Sequence, residues 1–175
     1  MRGSALASSL VASVIFLRAA NVGGSSVFST VQLAKILDIV NIGAAGTFVS
    51  PRPISEPSIA RALPHPIDIV VRPGSEVLDL IKAGPPATPP EAQVFVSVMV
   101  GRPTKRPSLP IETPAGRDWA LRAMERRGAF VISARRIEKQ RGVDLSAILE
   151  RAYGTRFTTR SWSTMVRIAS VLGSI

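Results

Sequence analysis

Four apolar runs in this chain, at residues 11–18, 67–72, 93–100 and 128–134, are each too short to make an independent helix, and that limits the fold more than any other feature. Rich in Val, Ile and Phe, they read as strands buried on both faces. Between them lie segments with helical spacing. Residues 29–40 carry Val31, Leu33, Ala34, Ile36, Leu37 and Val40 on one stripe, with Ser29 or Thr30 as N-cap. Residues 58–63, 75–83 (stopped by Gly84), 115–127, 145–153 (capped by Gly154) and 162–172 read as further helices. Residues 46–50 add a short strand, and 101–110 form a basic, proline-rich loop. Short strands alternating with helices predict an α+β fold, a mixed sheet faced by helices.

A length of 175 residues suits one compact domain, expected at 11–175 after a loose tail at 1–10. Residues 84–90 hold four prolines and one glycine, so two lobes would divide there. Residues 6–17 are mostly apolar after Arg2, as in a secretory leader, but Ser8, Ser9 and Ser13 interrupt the run and Arg18 closes it. A bilayer span needs about 20 apolar residues. The expectation is a cytoplasmic protein with no membrane partner.

Cysteine is absent, which excludes disulfides, thiolate catalysis, iron–sulfur clusters and cysteine zinc sites. His65 is the only histidine and sits in the turn-like Leu63-Pro64-His65-Pro66, so two-histidine metal spacings cannot be built. Asp38, Asp68 and Asp79 are scattered, and no serine lies in a Gly-x-Ser-x-Gly elbow. No metal site and no cofactor is expected, and enzymatic activity is left open.

Two segments carry a resemblance. Leu17-Arg18-Ala19-Ala20-Asn21-Val22-Gly23-Gly24 is similar to the pattern Leu-Arg-Gly-Ile-Asn-Val-Gly-Gly, and Thr159-Arg160-Ser161-Trp162-Ser163-Thr164 to Thr-Arg-Asn-Trp-Asn-Thr. With Leu149-Glu150-Arg151-Ala152-Tyr153-Gly154 just before the second, these resemble the bacterial family named domain of unknown function sixteen-ninety-seven. The resemblance implies a compact α+β domain with ferredoxin-like βαβ units and no assigned activity. This chain departs from the pattern at Ala19, at Ala45-Gly46-Thr47 in place of Ser-Gly-Asn, and at Ser161 and Ser163 in place of asparagines.

Physically, the first motif is a strand entering a glycine turn before a helix, a geometry that suits either a tight turn or an anion loop. The second motif opens the last helix, with Thr159 or Ser161 as cap, Trp162 as a buried anchor and Arg160 at a terminus the helix dipole disfavours for a cation. Arg18, Asn21, Gly23, Gly24, Thr159 and Arg160 are therefore the candidate ligand-binding residues.

Charge is uneven along the chain. Residues 1–90 carry 7 basic and 5 acidic side chains, whereas 91–175 carry 15 and 7. Such a basic half attracts phosphate, and Arg135 and Arg136 are the candidate nucleic-acid contacts. Trp119 and Phe130 are the sparse aromatics between 102 and 141, too few for a base-stacking platform. The expected role is an anion- or nucleic-acid-binding module, its partner a nucleic acid or a small anionic ligand. The rival is a phosphoryl- or nucleotide-handling enzyme whose site the two motifs share.

Overall fold

The computed structural model describes residues 11–18, 28–43, 45–139 and 144–175. By their contacts these fall into two units, residues up to 83 together with 164–175, and residues 84–163. The expected tail at 1–10 lies outside the described residues.

In the first unit the order is β1 (Ser13–Leu17), α1 (Thr30–Leu37), β2 (Val40–Gly43), β3 (Thr47–Ser50), α2 (Glu56–Ala62) and β4 (Ile69–Pro73). The strands pair antiparallel in the order β2-β3-β1-β4, which is the ferredoxin-like split βαβ arrangement. β1 lies inside that sheet, which explains why its sequence is a continuous apolar run and all five residues are buried. Ile15, Leu17, Leu33, Phe48 and Ile59 form the centre of this core. A further helix, α3 (Gly74–Lys82), follows β4.

The helix expected over 29–40 starts as read, with the Ser29 hydroxyl accepting from the Gln32 amide at 3.1 Å. It ends at Leu37, because Asp38 turns left-handed at φ 53° and its amide closes back on the Ala34 and Lys35 carbonyls. Val40, although on the helical stripe, then opens β2 at the sheet edge. His65, expected as an exposed loop residue, is half-buried with its ring edge-on to Phe28 at 6.2 Å.

The second unit runs β5 (Ala92–Met99), β6 (Ile111–Thr113), β7 (Leu121–Arg127), β8 (Phe130–Arg136), a 3-10 turn (Ile137–Lys139), α4 (Leu145–Tyr153) and β9 (Phe157–Ser161). All its pairs are antiparallel, in the order β6-β7-β8-β5-β9. Met99, Leu121, Ala123, Val131 and Phe157 on one sheet face pack with Leu145, Leu149 and Tyr153 of α4. The Asp144 carboxylate caps α4 by accepting from the Ala147 amide at 3.2 Å.

Two expectations in this unit are corrected. The helix predicted over 115–127 is instead strand β7, bound on one side to β6 and on the other to β8. Leu, Ala, Met, Glu and Arg favour helices locally, but a two-residue turn at Gly128, with φ 58°, folds the segment into a hairpin and pairing outweighs propensity. The second motif begins as a strand, so Thr159 does not cap the helix, while Ser161 directly precedes it. Thr159 and Ser161 lie within β9, which runs straight into helix α5 (Trp162–Leu172). Trp162 is half-buried, and the fully enclosed tryptophan is Trp119, at 2 % exposure.

Candidate functional site

The residues singled out by the two motifs are mostly tied into their own units. Arg18, at the end of β1, donates its amide to the Asp68 carbonyl at 2.9 Å, and its guanidinium lies 3.8 Å from the Asp68 carboxylate. Asn21, Gly23 and Gly24 lie outside the described residues. Thr159 stands opposite Ser97, their hydroxyls 2.7 Å apart. Arg160 pairs across from Val96 and donates Nη1 to the Thr158 hydroxyl at 2.9 Å and the Thr159 carbonyl at 2.8 Å. Burial lowers its pKa to about 10, since the charged guanidinium loses hydration there. Arg18 belongs to the first unit and Thr159 and Arg160 to the second, so neither unit alone assembles the six residues.

Arg135 and Arg136 end β8 and are half-buried. Arg136 donates Nη1 to the Arg117 carbonyl at 3.0 Å, lies 3.4 Å from Glu91, and places its guanidinium 4.3 Å from the Trp119 ring centroid. Arg122 lies over the same ring at 4.5 Å while pairing with Glu112 at 2.7 Å. These contacts place two cations against the Trp119 ring.

A different constellation in the second unit has the geometry of a binding site. A cavity of about 400 Å³ is lined by Arg106, Pro107, Leu109, Arg126, Gly128 and Tyr153. Three segments build it. Tyr153 is the last residue of α4, and Gly154 caps that helix at φ 66° with its amide on the Glu150 carbonyl at 2.8 Å. The 101–110 loop is clamped onto this helix end: the amides of Thr104 and Lys105 both donate to the Tyr153 carbonyl at 3.0 Å, and Lys105 Nζ donates to the Arg151 carbonyl at 3.3 Å. The fit at Gly154 admits only glycine, because a Cβ there would stand 2.0 Å from Thr104 Oγ1. Arg106 follows the clamp directly and so is delivered to the cavity. From the other side the β7–β8 turn supplies Arg126, whose Nε donates to the Gly128 carbonyl at 2.8 Å and whose guanidinium lies 5.9 Å from the Tyr153 ring centroid.

The electrostatics of this cavity are one-sided. Its lining holds two guanidinium groups and no carboxylate. Arg106 makes no ion pair and no side-chain hydrogen bond with any described residue, and Arg126 spends only Nε on the protein. Neighbouring carboxylates are engaged elsewhere, Glu125 with Arg127 and Glu150 with the Phe157 amide at 3.2 Å. Tyr153 is 1 % exposed, yet its hydroxyl has no hydrogen-bond partner among the described residues. Leaving such a group unmatched costs about 1–3 kcal/mol, which is unusual in a native fold unless something else meets it. Burial raises the Tyr153 pKa and Arg126 opposes the rise only in part, so at neutral pH the phenol keeps its proton and can donate.

The sequence marks both halves of this cavity, as a basic proline-rich loop and as a helix capped by Gly154, but Thr104 and Gly154 stand 50 residues apart and nothing in their spacing joins them. A second cavity of about 410 Å³, in the first unit, is lined by Lys35, Asp38 and Asn41 among others. There Asp38 pairs with Arg52 at 3.0 Å and Asn41 binds Thr30 at 3.1 Å, so the carboxylate and the amide are already matched. Among the described residues no group of His, Asp or Glu could hold a metal ion, and no helix is long and apolar enough to cross a membrane. No family model, no curated protein and no solved structure matches the chain.

Proposed function

We propose that this chain is a cytoplasmic anion-binding module that works through its basic C-terminal half, and that it belongs to the family sixteen-ninety-seven its two motifs resemble. The single observation that supports the reading is the cavity at Arg106 and Arg126, whose lining holds two guanidinium groups and no carboxylate. Guanidinium groups bind phosphate oxygens strongly, because each can offer two parallel N–H donors. The anion can arrive on a small molecule or on a nucleic-acid backbone. The second class would add contacts from the surrounding arginines and a steep salt dependence.

Thermal unfolding with added inorganic phosphate tests the proposal. Binding to the folded state alone stabilises by about 2.7 kcal/mol at a ligand concentration one hundred times Kd. A saturable rise in Tm that Arg126→Gln abolishes is expected. Absence of any rise with phosphate, sulfate or DNA at low salt would end the anion-binding reading.

A further inference from the structure

We propose that the cavity takes the terminal phosphate of a small phosphomonoester, gripped between Arg106 and Arg126, with the carbon group of the ester against Pro107, Leu109 and the Tyr153 ring. This rests on the anion-binding reading and narrows it from phosphate in general to one class of ligand.

The charge of the lining comes first. Two guanidinium groups and no carboxylate give the cavity a charge that a dianion neutralises and a monoanion leaves half unmatched. A phosphomonoester carries about −1.5 to −2 at pH 7, its second pKa being about 6. A phosphodiester carries a single charge. Donor geometry points the same way. Arg106 and Arg126 reach the cavity from two separate segments, and a monoester offers three terminal oxygens to their paired N–H donors, whereas a diester offers two. Arg126 is held by the Gly128 carbonyl, and the backbone entering Arg106 is fixed by the clamp at Thr104 and Lys105. The cavity, about 400 Å³, is near the lower end of the roughly 300–1,000 Å³ that small-molecule sites occupy. Pro107, Leu109 and the Tyr153 ring line it with apolar surface that a bare phosphate would leave unused.

The test compares phenyl phosphate with methyl phenyl phosphate by calorimetric titration of the full chain at pH 8 and pH 5. The monoester is expected to bind at least tenfold tighter at pH 8. Its advantage should fall about tenfold by pH 5, as the dianion population drops through its second pKa of about 6. Arg126→Gln should weaken the monoester roughly tenfold through the lost hydrogen bonds from a charged donor. Arg106→Gln alters an exposed side chain with no partner in the fold, so it tests the site without risk to folding, and the same loss or more is expected. Equal affinity for the two esters, or a monoester affinity flat with pH, would overturn the monoester assignment while phosphate binding itself survived. An unchanged affinity in both variants would overturn the grip on the phosphate at this cavity. If neither ester nor inorganic phosphate binds, the anion-binding reading fails and this inference with it.

Discussion

The two units handle arginine differently. In the first, Arg18, Arg52 and Arg72 each meet a carboxylate, Asp68, Asp38 and Glu76 respectively, and the core beneath the sheet is aliphatic and aromatic. In the second, Arg122, Arg127 and Arg136 also meet carboxylates, Glu112, Glu125 and Glu91, but each adds a further partner: the Trp119 ring for Arg122 and Arg136, and the Gly84 carbonyl for Arg127 at 2.7 Å. At the cavity, Arg106 has no side-chain partner among the described residues and Arg126 has only the Gly128 carbonyl and the Tyr153 ring. Net charge along a sequence therefore says little about a binding surface until each cation has been matched with what it already touches.

The contrast predicts unequal responses to substitution. The largest belongs to Trp119→Ala, which should lower stability by about 3–5 kcal/mol by emptying an enclosed site and releasing two cations. Trp162→Ala, at a half-buried position, should show less than half of that in the same urea titration. Equal effects would mean that Trp119 is no more an anchor than the half-buried Trp162.

Next comes Gly154→Ala. A left-handed φ of 66° strains any side chain by about 1–2 kcal/mol, and the new methyl group must also displace Thr104. A loss of about 2 kcal/mol is expected, together with weaker phosphate binding as Arg106 shifts. Unfolding that changes with binding untouched would separate the clamp from the site. Asp144→Ala, which removes the cap of α4, should cost about 1 kcal/mol, as should Ser29→Ala at the start of α1. A clear difference between them would show that one unit relies more on its helix termini than the other.

The smallest effects sharpen the comparison most. Arg106→Gln and Arg126→Gln should change the stability of the free protein by less than about 0.5 kcal/mol, with a slight gain at low salt from reduced repulsion. Arg72→Gln removes a paired cation and should lose up to about 1 kcal/mol. If the cavity arginines proved as important to folding as Arg72, they would be structural cations like Arg136.

The fold was legible where one strong signal stood alone. The runs that became β1, β4, β5 and β8 are apolar on both faces, and no other element of that length accommodates them. It was illegible where local propensity opposed pairing, as in β7, and where a strand was polar, as in Phe157–Ser161, whose threonines and arginine show no alternation. Arg160 illustrates the site problem. Its position before a tryptophan helix reads as an exposed terminus, yet it is 7 % exposed within a strand, because Val96 and not the helix sets its surroundings. The cavity residues come from a loop, a hairpin and a helix end, each conspicuous for another reason, and their meeting depends on sheet order.

The double use of the Tyr153 carbonyl has a kinetic side. Two consecutive amides on one acceptor leave the chain at Thr104 and Lys105 little room to fluctuate, so these amides should exchange with deuterium as slowly as those of α4 itself. A ligand reaching Arg106 then meets a surface whose ordering was completed when the chain folded, and association should proceed in a single fast phase with no slow closing step behind it.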